Sequence, residues 1–147
     1  WGYIGLAIGD LSSGLVSQAM RSRRRAILFY ILLTIFGVAV HLVLPHSSVS
    51  SFYATCCLMG VGAGYWAMFV QVAAEQFGTN IRATVTTSVP NFVRAATIPQ
   101  TLGFEPLNPP AGVIGSAVVI GVVSFVVALL SLWKLDETFH KDLDFHE

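Results

Sequence analysis

A stripe of polar side chains follows one face of an otherwise apolar segment, residues 83–104. Its members, spaced by three, four, three and seven residues, are Thr84, Thr87, Asn91, Arg94 and Thr101. This spacing places them on one side of a helix. Because a guanidinium stays charged, Arg94 needs a carboxylate, carbonyl groups or an anionic ligand. The stripe predicts a substrate pathway through Thr87, Asn91 and Arg94; a snorkelling or structurally paired Arg94 is the alternative.

A second isolated charge, Asp10, lies near the middle of the first apolar segment, in line with Gly14 and Gln18. A carboxylate at the centre of a membrane costs about 2.5–3.5 kcal/mol unless it is paired or hydrated. Two interpretations stay open. Asp10 has a structural role, as a hydrogen-bonding partner between helices or as a residue nearer the membrane interface, or it relays protons or contacts a substrate.

Other kinds of chemistry have no matching pattern in the sequence. The histidines and the adjacent Cys56 and Cys57 do not have the spacing of metal ligands. Neither a G-x-x-x-x-G-K phosphate loop nor a G-x-S-x-G nucleophile elbow is present. The eight basic and eight acidic residues balance, which gives no attraction to nucleic acid. We therefore expect no enzymatic activity, no metal, no cofactor and no nucleic-acid partner.

The elements that position these side chains follow from the composition. The chain is 54% hydrophobic and 11% charged, against roughly 25% charged residues in soluble domains. About 20 apolar residues cross a bilayer as a helix. Segments close to this length are residues 1–20, 26–44, 52–72, 83–104 and 111–133. The sequence thus predicts an all-α bundle of about five transmembrane helices over residues 1–134, followed by a solvated tail, residues 135–147.

Small residues recur every four positions in three of these segments. The first contains Gly5, Gly9, Ser13 and Ser17; the third contains Gly60 and Gly64; the fifth contains Ala117 and Gly121. Small residues allow membrane helices to approach closely. We expect these stripes to be helix contacts, and the first helix in particular to have a tightly packed neighbour.

The cations indicate the orientation. With five alternating spans, residues 21–25, Arg82, Lys134 and Lys141 fall on one side, whereas the loops 46–51 and 105–110 on the other side contain no Lys or Arg. Because cytoplasmic loops carry an excess of Lys and Arg, this side and the C-terminus are expected in the cytoplasm. The membrane is expected to be a plasma or inner membrane.

Three short stretches resemble loops of the major facilitator superfamily. Residues 14–24 (GLVSQAMRSRR) resemble the second copy of its Gly-x-x-x-Asp…Arg…Gly-Arg-Arg/Lys cytoplasmic motif, with Gln18 in place of the acid. Residues 75–83 (EQFGTNIRA) are similar to the Glu-x-Phe-x-Thr-x-x-Arg-Gly/Ala loop that follows the tenth span of sugar-porter-like and metabolite:proton members. Residues 136–143 (DETFHKDL) resemble the Glu-Thr-x-x-x-x-Leu that follows the twelfth span.

The resemblance implies that the chain is the C-terminal portion of a twelve-helix secondary transporter, spans eight to twelve, and that its N-terminal half is missing. Such a protein moves a small organic solute across the bilayer, by facilitation or with a coupling ion. The resemblance also implies a cytoplasmic gating network of Glu75, Arg82, Arg21, Arg23, Arg24 and the position of Gln18. Simple topology anchoring is the alternative for the arginines, and a non-transporting membrane scaffold or assembly subunit is the alternative for the whole chain.

Overall fold

The protein is all-helical over the residues that the structure, a computed structural model, describes: 1–44 and 48–139. The helices in these ranges are α1 (Gly2–Met20), α2 (Arg23–Val43), α3 (Val49–Ala63), α4 (Trp66–Glu75), α5 (Arg82–Ala95) and α6 (Thr97–Lys134). The predicted all-α fold is thereby confirmed. Lys141 and most of the predicted tail lie outside the described residues, as do residues 45–47 of the connection between α2 and α3.

Three helical stretches of the described chain are long and apolar enough to cross a membrane: Arg23–Val43, Val49–Glu75 and Arg82–Lys134. They make the chain compatible with an integral membrane protein. We predicted about five spans. α1 is not among the three because Asp10, Gln18 and several serines and glycines dilute its apolar content, and the predicted fourth and fifth spans fall within one stretch.

Helices α1 and α3 run parallel in close contact. The buried residues of α1 are Gly5, Gly9, Ser13 and Ser17, so the predicted stripe is confirmed as a packing surface. A Cβ added at Gly64 would lie 2.5 Å from Gly9 Cα and 2.6 Å from the Leu6 carbonyl oxygen. The absence of side chains thus permits direct backbone contact. In the fifth predicted segment, by contrast, a Cβ on Gly121 would meet nothing within 4 Å in the described structure.

The third predicted span is interrupted. Residues 52–72 were expected as one helix, but α3 ends at Ala63 and α4 begins at Trp66. Gly64 has φ −80° and ψ 56°, outside helical values. It lies against the backbone of α1 at Gly9 and Asp10, and glycine lowers the cost of leaving the helix there. The interruption gives α4 an N-terminus of its own inside the apolar stretch.

The chain reverses direction at Gly112 rather than in the predicted loop, residues 105–110. Those residues are helical, whereas Gly112 has φ 70° and ψ 170°, a conformation that favours glycine. Gln100 Nε2 donates to Ser124 Oγ at 3.3 Å, although 24 residues of straight helix would separate them by about 36 Å. α6 is therefore a hairpin with arms 97–111 and 113–134. Pro106, Pro109 and Pro110 lie within the first arm, and the reversal follows two residues after the last of them.

Most of the described cations lie at one end of the molecule. There α1 and α4 end, α2 and α5 begin, and the second arm of α6 ends, so that the described cations of residues 21–25, Arg82 and Lys134 belong to this arginine-rich end. Directly beneath it lies the apolar core, which consists of Ala26, Ile27, Tyr30, Ile31, Met68, Val72 and Leu132. This core joins α2, α4 and α6 and supports the side chains above it.

Candidate interhelical charge network

Arg23, the first residue of α2, is the centre of a polar network at the arginine-rich end. Its Nη2 lies 3.1 Å from Glu75 Oε1, and the two side chains are 12% and 8% exposed. Its Nη1 donates to Ser17 Oγ at 2.8 Å, and the guanidinium lies 5.2 Å from the centre of the Phe139 ring. One side chain thus connects α1, α2, α4 and the segment after α6.

Glu75, the last residue of α4, receives two further hydrogen bonds. Gln71 Nε2 donates to its Oε1 at 2.9 Å, and the buried Thr138 Oγ1 donates to its Oε2 at 2.6 Å. A buried ion pair offsets its desolvation only when the remaining polar atoms are also bonded. The carboxylate meets this condition, while Arg23 Nε is buried with no partner in the described part of the chain.

Glu137 binds the N-terminus of α2. Its carboxylate accepts the backbone N–H of Arg23 at 2.8 Å and of Arg24 at 3.4 Å, and the hydroxyl of the N-cap residue Ser22 donates to it as well. Partial desolvation by itself raises the pKa of Glu137, but these bonds and one from the Phe139 N–H outweigh it and lower the pKa. A negative charge at this position also complements the helix dipole.

The other residues predicted for the gating network have separate partners. Arg82 Nε donates to the Ala74 carbonyl at 3.1 Å, and Arg24 Nη2 donates to the Trp133 carbonyl at 3.0 Å. Arg21 is the C-cap of α1, with φ 47°, and its N–H bonds to the Gln18 carbonyl. The structure therefore brings Arg23 and Glu75 together, and places Arg82, Arg24, Arg21 and Gln18 around them at helix ends.

Several members of this network are not predicted from the sequence, namely Glu137, Thr138, Phe139, Ser17 and Gln71. A signal existed for the first two, because the stretch Glu137-Thr138 carries part of the family resemblance. They were assigned instead to a solvated tail. The described start of that tail, residues 135–139, packs on the bundle, and Thr138 is 2% exposed.

Asp10 lies at the interruption between α3 and α4. Its Oδ1 accepts the backbone N–H of Ala67 at 3.1 Å, the second residue of α4. The first N–H groups of a helix have no partner within the helix and carry partial positive charge. The sequence suggested a bond between helices as one interpretation of Asp10, and the structure supplies that bond with a backbone donor.

The polar stripe of α5 lies apart from the charge network. Thr87 Oγ1 bonds to the carbonyls of Ala83 and Thr84, and Asn91 Nδ2 donates to the Thr87 carbonyl at 3.2 Å. Arg94 is exposed, and its side chain has no hydrogen bond or ion pair with any described residue. Beside it, an open cavity of about 340 Å³ is lined by Ser88, Asn91, Phe92 and Ala95. The stripe thus faces outward from this chain.

No group of three or more potential metal ligands occurs in residues 1–44 and 48–139. Comparisons with protein families, with curated proteins and with solved structures found no match to this chain.

Proposed function

We propose that this chain is the C-terminal part of a secondary transporter of the major facilitator type, which moves a small organic solute across a membrane. The observation that supports this proposal best is the buried Arg23–Glu75 pair, at 3.1 Å, within an otherwise apolar helical bundle. The pair connects two helices that are distant in sequence, and it lies at the arginine-rich end of the bundle.

A buried ion pair between helices suits a contact that forms and breaks during transport better than a contact that only stabilises the fold. Replacing a buried ion pair by apolar residues often maintains or increases stability, so such a pair is weak support for a purely structural role. Conformational switches commonly exchange salt bridges between packed elements. The contacts of Arg23 with Ser17, Glu75 and Phe139 would break together if α2 moved against α1 and α4.

The interrupted span supports the same function. Transporters often place discontinuous helices at their binding sites, where the N-terminus of a half-helix faces a negative group. The N-terminus of α4 has this position within the stretch Val49–Glu75, and Asp10 is the negative group that it faces.

The solute pathway in this proposal follows the stripe of Thr87, Asn91 and Arg94. Pro90 lies in the same helix and removes one backbone hydrogen bond, which permits bending. Arg94 lies in the stretch Arg82–Lys134, which is apolar enough to cross a membrane, and an exposed guanidinium there requires a negative partner. The two partners that fit are an anionic solute and a carboxylate on helices that this chain does not contain.

Uptake into proteoliposomes tests the proposal. The intact protein that contains this chain would be purified and offered a panel of radiolabelled small carboxylates, phosphates and sugars, with and without a pH gradient. We expect uptake of at least one solute, which falls to background in Arg94→Ala. Membrane abundance should stay at the wild-type level, because the Arg94 side chain has no hydrogen bond or ion pair with any described residue. Lys134→Ala, which removes another exposed cation, is the matched control and should retain uptake.

A membrane scaffold is the second candidate, and the glycine-mediated contact of α1 with α3 favours it. A scaffold requires tight packing but no pathway. If the wild-type protein takes up no member of the panel, the scaffold becomes the better assignment. If Arg94→Ala protein shows unchanged uptake, Arg94 does not belong to the pathway.

A further inference from the structure

A cavity of about 600 Å³ opens at the arginine-rich end, between the first turns of α2 and the last turns of α6. Its lining divides into two parts. The outer rim is basic and contains Arg21, Arg24 and Arg25, whereas the wall is apolar and contains Leu28, Leu129 and Trp133. This combination differs from the charge network beside it, in which Arg23 is paired.

The rim has positive charge that the described residues do not neutralise. Arg21 and Arg25 are exposed, and neither side chain has a hydrogen bond or ion pair within the described chain. Arg24 uses Nη2 on the Trp133 carbonyl and retains its other N–H donors. Glu137 also lines the cavity; its carboxylate accepts bonds from the Ser22 hydroxyl and from the backbone N–H groups of Arg23 and Arg24, and it is one negative charge against the three arginines of the rim. The cavity therefore favours an anion.

The apolar wall indicates what kind of anion the cavity binds. Leu28 is 38% exposed and Trp133 is 75% exposed, and both belong to stretches apolar enough to cross a membrane. Tryptophan is enriched at the boundary between hydrocarbon and headgroups. A free phosphate would contact the arginines alone and leave the apolar wall uncovered. A phospholipid would place its phosphate on the rim and an acyl chain along the wall.

We propose that this cavity binds an anionic phospholipid, with the headgroup phosphate on Arg21, Arg24 and Arg25 and an acyl chain against Leu28, Leu129 and Trp133. Basic pockets between membrane helices are suited to lipid headgroups, and each Lys or Arg near an anionic surface strengthens the attraction. The proposal requires that the chain lies in a membrane. It does not depend on transport, and it holds equally for a scaffold.

Native mass spectrometry of the purified protein tests this site. Dioleoylphosphatidylglycerol and dioleoylphosphatidylcholine would be titrated separately, and the apparent dissociation constant of the first bound lipid determined. We expect tighter binding of the anionic lipid to the wild-type protein. Arg21→Gln and Arg25→Gln should each weaken it about 5-fold, and the double variant about 30-fold. Both residues are exposed and unpaired in the described structure, so the variants should fold.

Lys134→Gln is the matched control, because it removes a cation from the same end but does not line the cavity. It should leave the affinity for phosphatidylglycerol within about 2-fold of the wild-type value if binding is local, since long-range effects are screened. An equal loss in Lys134→Gln, or equal affinity of the wild-type protein for both lipids, would overturn the proposal. Displacement of the lipid by millimolar glycerol 3-phosphate would show a site for free phosphate and would refute the role of the wall.

Discussion

The guanidinium of Arg23 and the carboxylate of Glu75 lie 3.1 Å apart, joining the first residue of α2 to the last residue of α4 across 52 positions of sequence. Ser17 binds the arginine and Thr138 binds the carboxylate. Four separate elements therefore depend on two side chains. Loss of either charge would leave the other buried and unpaired, which is more costly than loss of both.

A double-mutant cycle measures the strength of this pair. Glu75→Gln should destabilise the protein by about 3 kcal/mol, since it leaves Arg23 buried without a counter-charge while keeping the volume. Arg23→Gln should cost a similar amount. The double variant should lose less than the sum of the two, by about 1–3 kcal/mol. Reversible unfolding in mixed micelles, followed by circular dichroism, gives the three values; strict additivity would show that the charges do not interact.

The contact between α1 and α3 predicts opposite effects of one substitution at two glycines. Gly64→Ala should destabilise the protein by about 1–3 kcal/mol, because its Cβ would lie 2.5 Å from Gly9 Cα and 2.7 Å from the Asp10 nitrogen. Gly14→Ala is the matched control, since its Cβ meets nothing within 4 Å and alanine favours helix by up to about 1 kcal/mol. Melting temperatures of both variants test this. A neutral Gly64→Ala would mean that the helices lie further apart.

Substitutions of Asp10 distinguish between its structural and its functional interpretation. Asp10→Ala removes the acceptor for the Ala67 N–H and should cost about 1 kcal/mol, as for a helix cap. Asp10→Asn keeps an acceptor and should cost less. If the bond to α4 is the whole role of Asp10, Asp10→Asn also retains the pH dependence of uptake in proteoliposomes. A normally stable Asp10→Asn protein that has lost this dependence would instead identify Asp10 as a proton-carrying group.

Glu137 predicts a dependence of stability on pH. Its pKa in the folded protein is lowered from its ordinary value of 4.5, so the folded state favours the carboxylate. The resulting stabilisation is complete above pH 4.5 and disappears as the pH falls through the lowered pKa. We expect the melting temperature of the wild-type protein to exceed that of Glu137→Gln at pH 7. This difference should shrink towards pH 3; a constant difference would exclude the charge as its cause.

The charge network was only partly predictable. Glu75 and the arginines are candidates because they belong to stretches that resemble loops of the major facilitator superfamily, and such a resemblance depends on short local motifs. Their partners could not be chosen in this way. Ser17 resembled any other small residue of its stripe, and Glu137 and Thr138 belong to a short polar stretch whose charge suggested solvent. The pairing of a particular arginine with a particular acid depends on the relative rotation of α2 and α4. The sequence pattern does not encode this rotation.

The sequence by itself determined the helical nature of the chain, its compatibility with a membrane and the buried face of α1. These properties depend on local composition and on spacing along one helix, so they can be read without knowing any neighbour. The tertiary structure decided where the helices stop. Gly64 ends α3 because α1 passes there, and Gly112 reverses the chain where the two arms of α6 meet. Proline and glycine are present at other positions as well. Which of them end or reverse a helix depends on contacts between residues that are far apart in sequence.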